Sequence, residues 1–239
     1  MSLKGQRVIV VGGSSGMGLG CAKSAAEAGA EVIIASHSPE KLEAAKATLA
    51  QENVSSAVLD ITDEDAVKTF FSNAGSFDHL IITASGAGTG PFVKMDNALA
   101  KNFFDIKFWG AYSCAKYAAP VIAKQGSITF VSGVASRRPM RGLACAGACN
   151  GALEALGKAL AAELAPIRVN TIAPGLIDTP LYAMMPEEKK AAFFDATAKQ
   201  LPAKRIGYPN DIAEAAMLLM TNGFITGTVL DIDGGNMVA

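Results

Sequence analysis

The sequence predicts an α/β fold with a single doubly wound, Rossmann-type parallel sheet, on three observations. Strand-like and helix-like segments alternate from one end of the chain to the other. The first apolar run, Arg7-Val8-Ile9-Val10-Val11, is β-branched and has no polar alternation, as a strand buried on both faces requires. It then passes directly into Gly12-Gly13-Ser14-Ser15-Gly16-Met17-Gly18-Leu19-Gly20, a glycine-rich turn that opens a helix. Repeated strand–helix–strand units of this kind give about seven parallel strands with helices on both faces, and ligands bind beyond the strands' C-terminal ends.

The elements follow in order. A helix from about Gly16 to Gly29 is succeeded by a strand at Glu31–Ser36, a helix at Pro39–Gln51 and a strand at Val54–Leu59. Thr62 is read as the cap of the next helix, with Glu64 and Asp65 favourably placed in its first turn. His79–Ala84 is the fourth strand and leaves through Ser85-Gly86-Ala87-Gly88-Thr89-Gly90. A long helix is expected over about Asp96–Lys124, then a strand at Ser127–Ser132, a loop with Arg137, Arg138 and Arg141, and an alanine-rich helix to about Ala165. Ile167–Ile172 is the sixth strand and ends at Pro174-Gly175. Residues 181–206 read as a variable segment, Pro209–Thr221 as the last helix and Thr228–Ile232 as the seventh strand. No linker divides the chain, so residues 1–239 read as one dinucleotide-binding domain with a substrate lid at about 180–206.

Composition narrows the function. Half of the 239 residues are hydrophobic, enough for one well-buried core, and 21 basic side chains balance 22 acidic ones. That balance argues against a nucleic-acid or membrane-surface partner. No apolar run has the length of a membrane span, and the N-terminus lacks the basic head and apolar core of a signal peptide. Four cysteines without a C-x-x-C pair do not form a disulfide framework, so a reducing cytoplasm is the expected location and no metal site is expected.

The glycine turn carries the first functional signal. Its spacing, G-x-x-x-G-x-G, differs from the commoner dinucleotide pattern G-x-G-x-x-G, but the helix it opens presents unpaired N–H groups and a positive dipole end suited to a pyrophosphate. With the later motifs in view the chain resembles the short-chain dehydrogenase/reductase family over essentially its whole length. Asp60-Ile61-Thr62 is similar to the family's adenine-contacting turn, Arg168–Gly175 to its sixth strand and Pro-Gly exit, and Leu176-Ile177-Asp178-Thr179-Pro180 to the segment that holds the nicotinamide carboxamide. Gly207–Ala213 and Ile225–Gly235 resemble its C-terminal signatures. The resemblance assigns cofactor contacts to Gly12, Ser14, Ser15, Gly16, Met17, Gly18, Ser36, His37, Asp60, Ile61, Ala84, Ser85, Asn150, Pro174, Gly175, Ile177 and Thr179.

The choice of dinucleotide rests on charge. NAD-binding folds place a carboxylate about twenty residues past the glycines to take the ribose hydroxyls. Here the second strand ends in Ala35-Ser36-His37-Ser38, whose hydroxyls and imidazole accept a 2′-phosphate that an acid would repel. NADP(H) is the expected cofactor and NAD the less favoured one.

The chemistry departs from the resemblance. The family works with an Asn, a Ser, a Tyr and a Lys, the tyrosine exchanging the proton and the lysine holding the ribose and lowering the tyrosine's pKa. Aligned on the neighbouring motifs, those places hold Lys107, Gly133, Ala146 and Asn150. A methyl group cannot replace a phenol in acid–base work. Lys107 and Asn150 read as an exchange of lysine and asparagine between two facing helices, which makes Lys107 a catalytic candidate; Ser132, one place from Gly133, is a second. The arginines at 137, 138 and 141 are read either as an anion-binding group or as solvated loop charges. Three functions remain open: an NADP(H)-dependent oxidoreductase with divergent machinery acting on a small molecule, a non-catalytic NADP(H)-binding sensor or structural subunit, and an enzyme of another type such as a hydratase or isomerase. The apolar groups distributed around the long helix (Phe103, Phe104, Phe108, Trp109, Tyr112, Tyr117) predict a homodimer or homotetramer.

Overall fold

The computed structural model describes residues 1–86 and 88–239; Ala87, in the expected glycine-rich exit of the fourth strand, lies outside them. The described residues form β1 (Arg7–Val11), β2 (Glu31–Ser36), β3 (Val54–Val58), β4 (Phe77–Ile82), β5 (Ile122–Val131), β6 (Arg168–Pro174) and β7 (Val229–Ile232). These pair in parallel in the order β3-β2-β1-β4-β5-β6-β7. The helices are α1 (Gly16–Glu27), α2 (Pro39–Leu49), α3 (Glu64–Asn73), α4 (Asn97–Phe104), α5 (Ala111–Ala118), α6 (Ala144–Glu163), α7 (Glu187–Gln200) and α8 (Pro209–Thr221). The strand order reverses direction between β1 and β4, so the crevice beyond the strand ends opens there.

Both faces of the sheet are covered, and this is why the strand sequences are apolar without alternation. On one side Val8, Val10, Ile34 and Ile172 pack with α1, α2 and α8 through Ala22, Ala25, Leu42, Ala216 and Leu219. On the other, Ile9, Leu80, Ile128 and Val169 pack with α3, α5 and α6 through Phe71, Cys114, Ala115 and Leu153. The small residues of α1 and α8 allow the two helices to lie close together: an added Cβ on Gly20 would stand 3.0 Å from Pro209. Arg168, a charged residue in a fully buried strand, is satisfied by the α8 terminus, donating to the carbonyls of Leu219 (2.5 Å) and Met220 (2.8 Å) and to that of Ile225 (3.3 Å). It thereby meets orphan acceptors at a helix C-terminus.

Several boundaries differ from the sequence reading. The long helix does not reach Lys124: it ends at Ala118, because Pro120 cannot supply the next helical N–H, and Ile122 already pairs with Phe77 at the start of β5. Its middle is π-helical over Asp105–Gly110. Thr62 does not cap α3. Its hydroxyl donates to Asp60 at 2.7 Å, and Asp63 is the cap, accepting from the Ala66 N–H at 3.0 Å. The segment at 181–206 contains α7, none of whose residues is buried, so no apolar stripe marked it as a helix.

His79 on β4 is only 2 % exposed, between Ser127 Oγ (2.8 Å from Nδ1) and Gln6 Oε1 (3.2 Å from Nε2). Burial lowers its pKa to about 4, from the ordinary value of 6.5. The folded state therefore keeps the ring neutral while the unfolded chain takes up a proton below pH 6.5. This contribution to stability is complete above pH 6.5 and is lost as the pH falls towards 4, in total on the order of 3 kcal/mol. Urea unfolding between pH 7 and 4 should show this decline, and His79→Gln should flatten it; an unchanged slope would exclude His79 as its source.

Candidate functional site

A cleft of about 630 Å³ opens beyond the C-terminal ends of the central strands. Its floor is the glycine turn. Gly12 has a φ of +82°, and a Cβ on it would lie 2.6 Å from Thr83 Oγ1. A Cβ on Gly18 would lie 2.2 Å from the Gly12 carbonyl oxygen. Only glycine allows α1 to start this close to the end of β1, and Thr83 fixes the turn by donating to the carbonyls of Val11 (3.1 Å) and Gly12 (3.2 Å). Ser15, the N-cap of α1, makes no side-chain capping bond. The first N–H groups of the helix thus face a cleft lined by Ser14, Ser15, Gly16 and Met17, a geometry suited to phosphate oxygens. The residues present fit a dinucleotide here.

At one end of the cleft, Ser14 Oγ donates to Ser36 Oγ at 3.0 Å and ties the glycine turn to the end of β2. His37 follows, and Lys41 from the first turn of α2 joins the lining. On the facing loop Asp60 accepts from the Thr62 hydroxyl and N–H, which hold its carboxyl below the usual range, and Ile61 lies beside it. Ala84 and Ser85 line the exit of β4. At the other end Pro174, Gly175, Ile177 and Thr179 leave β6, and Thr179 crosses the glycine turn, 3.3 Å from where a Cβ of Gly16 would stand. Every residue assigned to the cofactor except Asn150 lines this one cleft.

Asn150 is set back from the lining. It is buried on α6, with its Nδ2 2.8 Å from the position a Cβ on Gly133 would take, and its Oδ1 has no hydrogen-bond partner among the described residues. The amide fills the space beside Gly133. The cation of this corner comes instead from Lys107, in the π-helical stretch. It lines the cleft, and its Nζ donates to the Ser132 carbonyl at 3.0 Å and lies 5.9 Å from the Phe103 ring centre. π-helical turns often occur at functional sites. Desolvation lowers the Lys107 pKa to about 8, with the neighbouring Cys149 acting in the opposite direction. Ser132 also lines the cleft, but its hydroxyl is directed inward, at 3.0 Å from Glu154 Oε1 and 3.3 Å from the Ile172 carbonyl. Its single hydrogen is committed to the fold.

Glu154 organises the wall behind Ser132. It also accepts from the Ser136 hydroxyl (2.6 Å) and from Arg137 Nε (3.2 Å), and the same guanidinium forms a bidentate pair with Asp231 on β7. Arg138 donates to Asn236 and to the carbonyl of Ala239 (3.1 Å). Two of the three loop arginines are therefore fold contacts, not an anion-binding group. The sequence reading did not identify Lys41, Thr83, Asn102, Ile106 or Tyr182, all of which line the cleft. The signal for Lys41 was its place three residues after Ser38, which caps α2 and accepts from the Lys41 N–H at 3.3 Å.

Comparison with known proteins agrees with this architecture. The profile of a family described as "Enoyl-(Acyl carrier protein) reductase" matches residues 11–236. A short-chain dehydrogenase/reductase of Stachybotrys chlorohalonatus is 32% identical, with 98% of each chain covered. A 3-oxoacyl-[acyl-carrier-protein] reductase of Chlamydia trachomatis is 31% identical, again over 98% of each chain. A crystal structure described as a small-chain dehydrogenase in complex with NADPH superposes with a TM-score of 0.83 at 37% identity, covering 98% of this chain and 99% of that one.

The lowered pKa of Lys107 has a measurable cost. Between pH 8 and 10.5 the unfolded chain carries a proton on this lysine that the folded one has released, so its contribution to stability rises with pH across that window. Lys107→Met should therefore stabilise the protein at pH 7, and the gain should shrink from pH 8 upward. Thermal unfolding of both proteins at pH 7 and 10 measures this; a destabilised variant at pH 7 would show that the Ser132 hydrogen bond outweighs desolvation.

Proposed function

The chain belongs to the short-chain dehydrogenase/reductase family, and on that premise we propose that it is an NADP(H)-dependent oxidoreductase with rearranged acid–base groups, acting on a small carbonyl or alcohol substrate. The observation that carries the cofactor choice is the end of β2. It offers Ser36 and His37 to the cleft and no carboxylate, and Lys41 joins them from the first turn of α2. Hydroxyl, imidazole and ammonium groups suit a 2′-phosphate, and Ser36 is already held in place by Ser14. The NADPH complex of the 37% identical small-chain dehydrogenase supports the same choice.

In this reading Gly12, Gly16 and Gly18 let the α1 N-terminus cradle the diphosphate, Asp60 and Ile61 flank the adenine, and Pro174, Gly175, Ile177 and Thr179 orient the nicotinamide. The bound dinucleotide supplies or accepts the hydride. Residues 180–206 act as the lid over the substrate. Their base is held by the Ile177–Gly207 bridge, with Asp178 N–H to the Gly207 carbonyl (2.9 Å) and Gly207 N–H to the Leu176 carbonyl (2.9 Å). Ala146 and Gly133 provide neither phenol nor hydroxyl, so the usual proton path is replaced. Lys107, a cation at neutral pH in a partly desolvated corner, polarises the substrate oxygen in place of those groups. Positioning of the substrate against the dinucleotide removes several kcal/mol of barrier as well.

Trp109 and Tyr112 are 53% and 39% exposed and stack with Phe108 at ring separations of 4.9 to 6.5 Å. An apolar face of this size on α4–α5 supports assembly of the chain as a homodimer or homotetramer. Light scattering at micromolar concentration should give a multiple of 24.6 kDa, and the monomer mass would refute the assembly.

The cofactor reading is tested by calorimetric titration. NADPH should bind more tightly than NADH, and Ser36→Asp should weaken NADPH by about tenfold or more by placing a carboxylate against the 2′-phosphate. Equal or tighter NADH binding would overturn it. NADPH binding with no turnover on any carbonyl would instead identify a non-catalytic binding protein.

A further inference from the structure

Reduction of a carbonyl needs a proton as well as a hydride, and the reading above, on which this inference rests, leaves its source unassigned. Among the described residues that line the cleft, the donors near the glycine turn and at the β2 end serve the diphosphate and ribose. Beyond them, towards the exits of β4 and β6 and the π-helical turn, the dissociable side chains are Ser85, Lys107, Ser132, Thr179 and Tyr182, and Ser85 is among the residues assigned to the cofactor. The Ser132 hydrogen is committed to Glu154 and Ile172, and Thr179 belongs to the segment that crosses the glycine turn. Tyr182 is the only phenol of the lining among the described residues. Its hydroxyl has no hydrogen-bond partner among them, and the residue is half-buried.

The lid is built to hold this ring. Tyr182 ends the short helical turn Pro180–Tyr182 and packs edge-on against Phe194 of α7, with ring centres 5.4 Å apart, and against Phe193 at 6.1 Å. Lys190 lies over the Phe194 ring at 5.2 Å and forms a 3.0 Å ion pair with Asp178, at the base of the lid. One aromatic cluster and one ion pair thus connect the phenol to the clasp at Ile177–Gly207. The charged groups nearest this cluster are Lys190 and Asp178, and Lys107 lines the same cleft. Burial raises the Tyr182 pKa, which keeps the phenol protonated at neutral pH.

We infer that Tyr182, presented by the lid, is the proton donor of this site and takes the place of the phenol that the α6 helix lacks at Ala146. In the reducing direction the Tyr182 O–H bond breaks and the proton passes to the carbonyl oxygen. A reduced dinucleotide held in the cleft would supply the hydride to the carbonyl carbon, so that C=O would become CH–OH, and the phenolate would regain a proton from solvent. Lys107, which lines the same cleft, stabilises the developing charge on oxygen.

The test does not depend on finding the substrate. Tyrosinate absorbance at 295 nm is titrated for the wild type and for Tyr182→Phe, which keeps the aromatic stack, with and without saturating NADP⁺; the difference between the two proteins isolates one of the four tyrosines. If Tyr182 stands beside the nicotinamide, its cationic ring lowers the Tyr182 midpoint on binding. A midpoint that does not move, with NADP⁺ shown by calorimetry to be bound, overturns the inference and leaves the cofactor reading intact. Failure of NADP⁺ to bind overturns both. With any carbonyl that is turned over, Tyr182→Phe should lower kcat by about 10²–10⁴-fold at unchanged NADPH affinity; an unchanged kcat would also overturn the assignment.

Discussion

The site depends on how closely α1 begins behind the end of β1. A Cβ on Gly18 would overlap the Gly12 carbonyl at 2.2 Å, and a Cβ on Gly12 would overlap Thr83. Without side chains at these two points the helix N-terminus sits at the strand reversal between β1 and β4, where the crevice opens. The remaining parts of the cleft are then brought in by the sheet: Ser36 and His37 by β2, Asp60 after β3, Ser132 and Gly133 by β5, and Pro174 and Gly175 by β6. One steric constraint at the first turn thus fixes the floor around which these four other strand ends are arranged.

The opposite end of the cleft brings together Gly133, Asn150, Ser132 and Lys107. Asn150 places its amide against Gly133, in space that any side chain there would claim, so the two positions are sterically coupled. The amide leaves a buried polar atom without a partner among the described residues, and Lys107 is held in a partly desolvated place by a main-chain carbonyl. Both arrangements cost stability, which is common where a site is built for function. Glu154 steadies the wall from behind, fixing Ser132 and Ser136 on one side and Arg137 on the other. The proposed oxidoreductase and the inferred role of Tyr182 both follow from reading this corner as a working site.

Much of this was legible in the sequence because the signals were local. The β-branched runs gave the strands, and the glycine turn gave the floor of the cleft. α8 was read at its observed limits, Pro209–Thr221, since Pro209 marks its first turn and Asn222 its end. What sequence could not give were the outcomes of competition between neighbours. Thr62 had the chemistry of a cap, but Asp60 took its hydroxyl and Asp63 capped α3. The helix that seemed to run to Lys124 was cut by Pro120 and by pairing of Ile122 with Phe77. Asn150 was expected in the cleft, but its chain is too short to pass Gly133. Lys41 and Tyr182 were missed because their membership of the site follows from the direction of a helix turn and of a lid, which no periodicity records.

Whether this cleft takes NADP(H) with Lys107 as the cation of its reactive corner is decided by a crystal structure grown with NADPH. The 2′-phosphate is expected on Ser36, His37 and Lys41, the nicotinamide against Pro174 and Gly175, and Lys107 Nζ within hydrogen-bonding reach of the ribose or of a substrate oxygen. Density showing the 2′-phosphate away from the β2 end, or Lys107 remaining on the Ser132 carbonyl with its Nζ out of reach of the nucleotide, would contradict it.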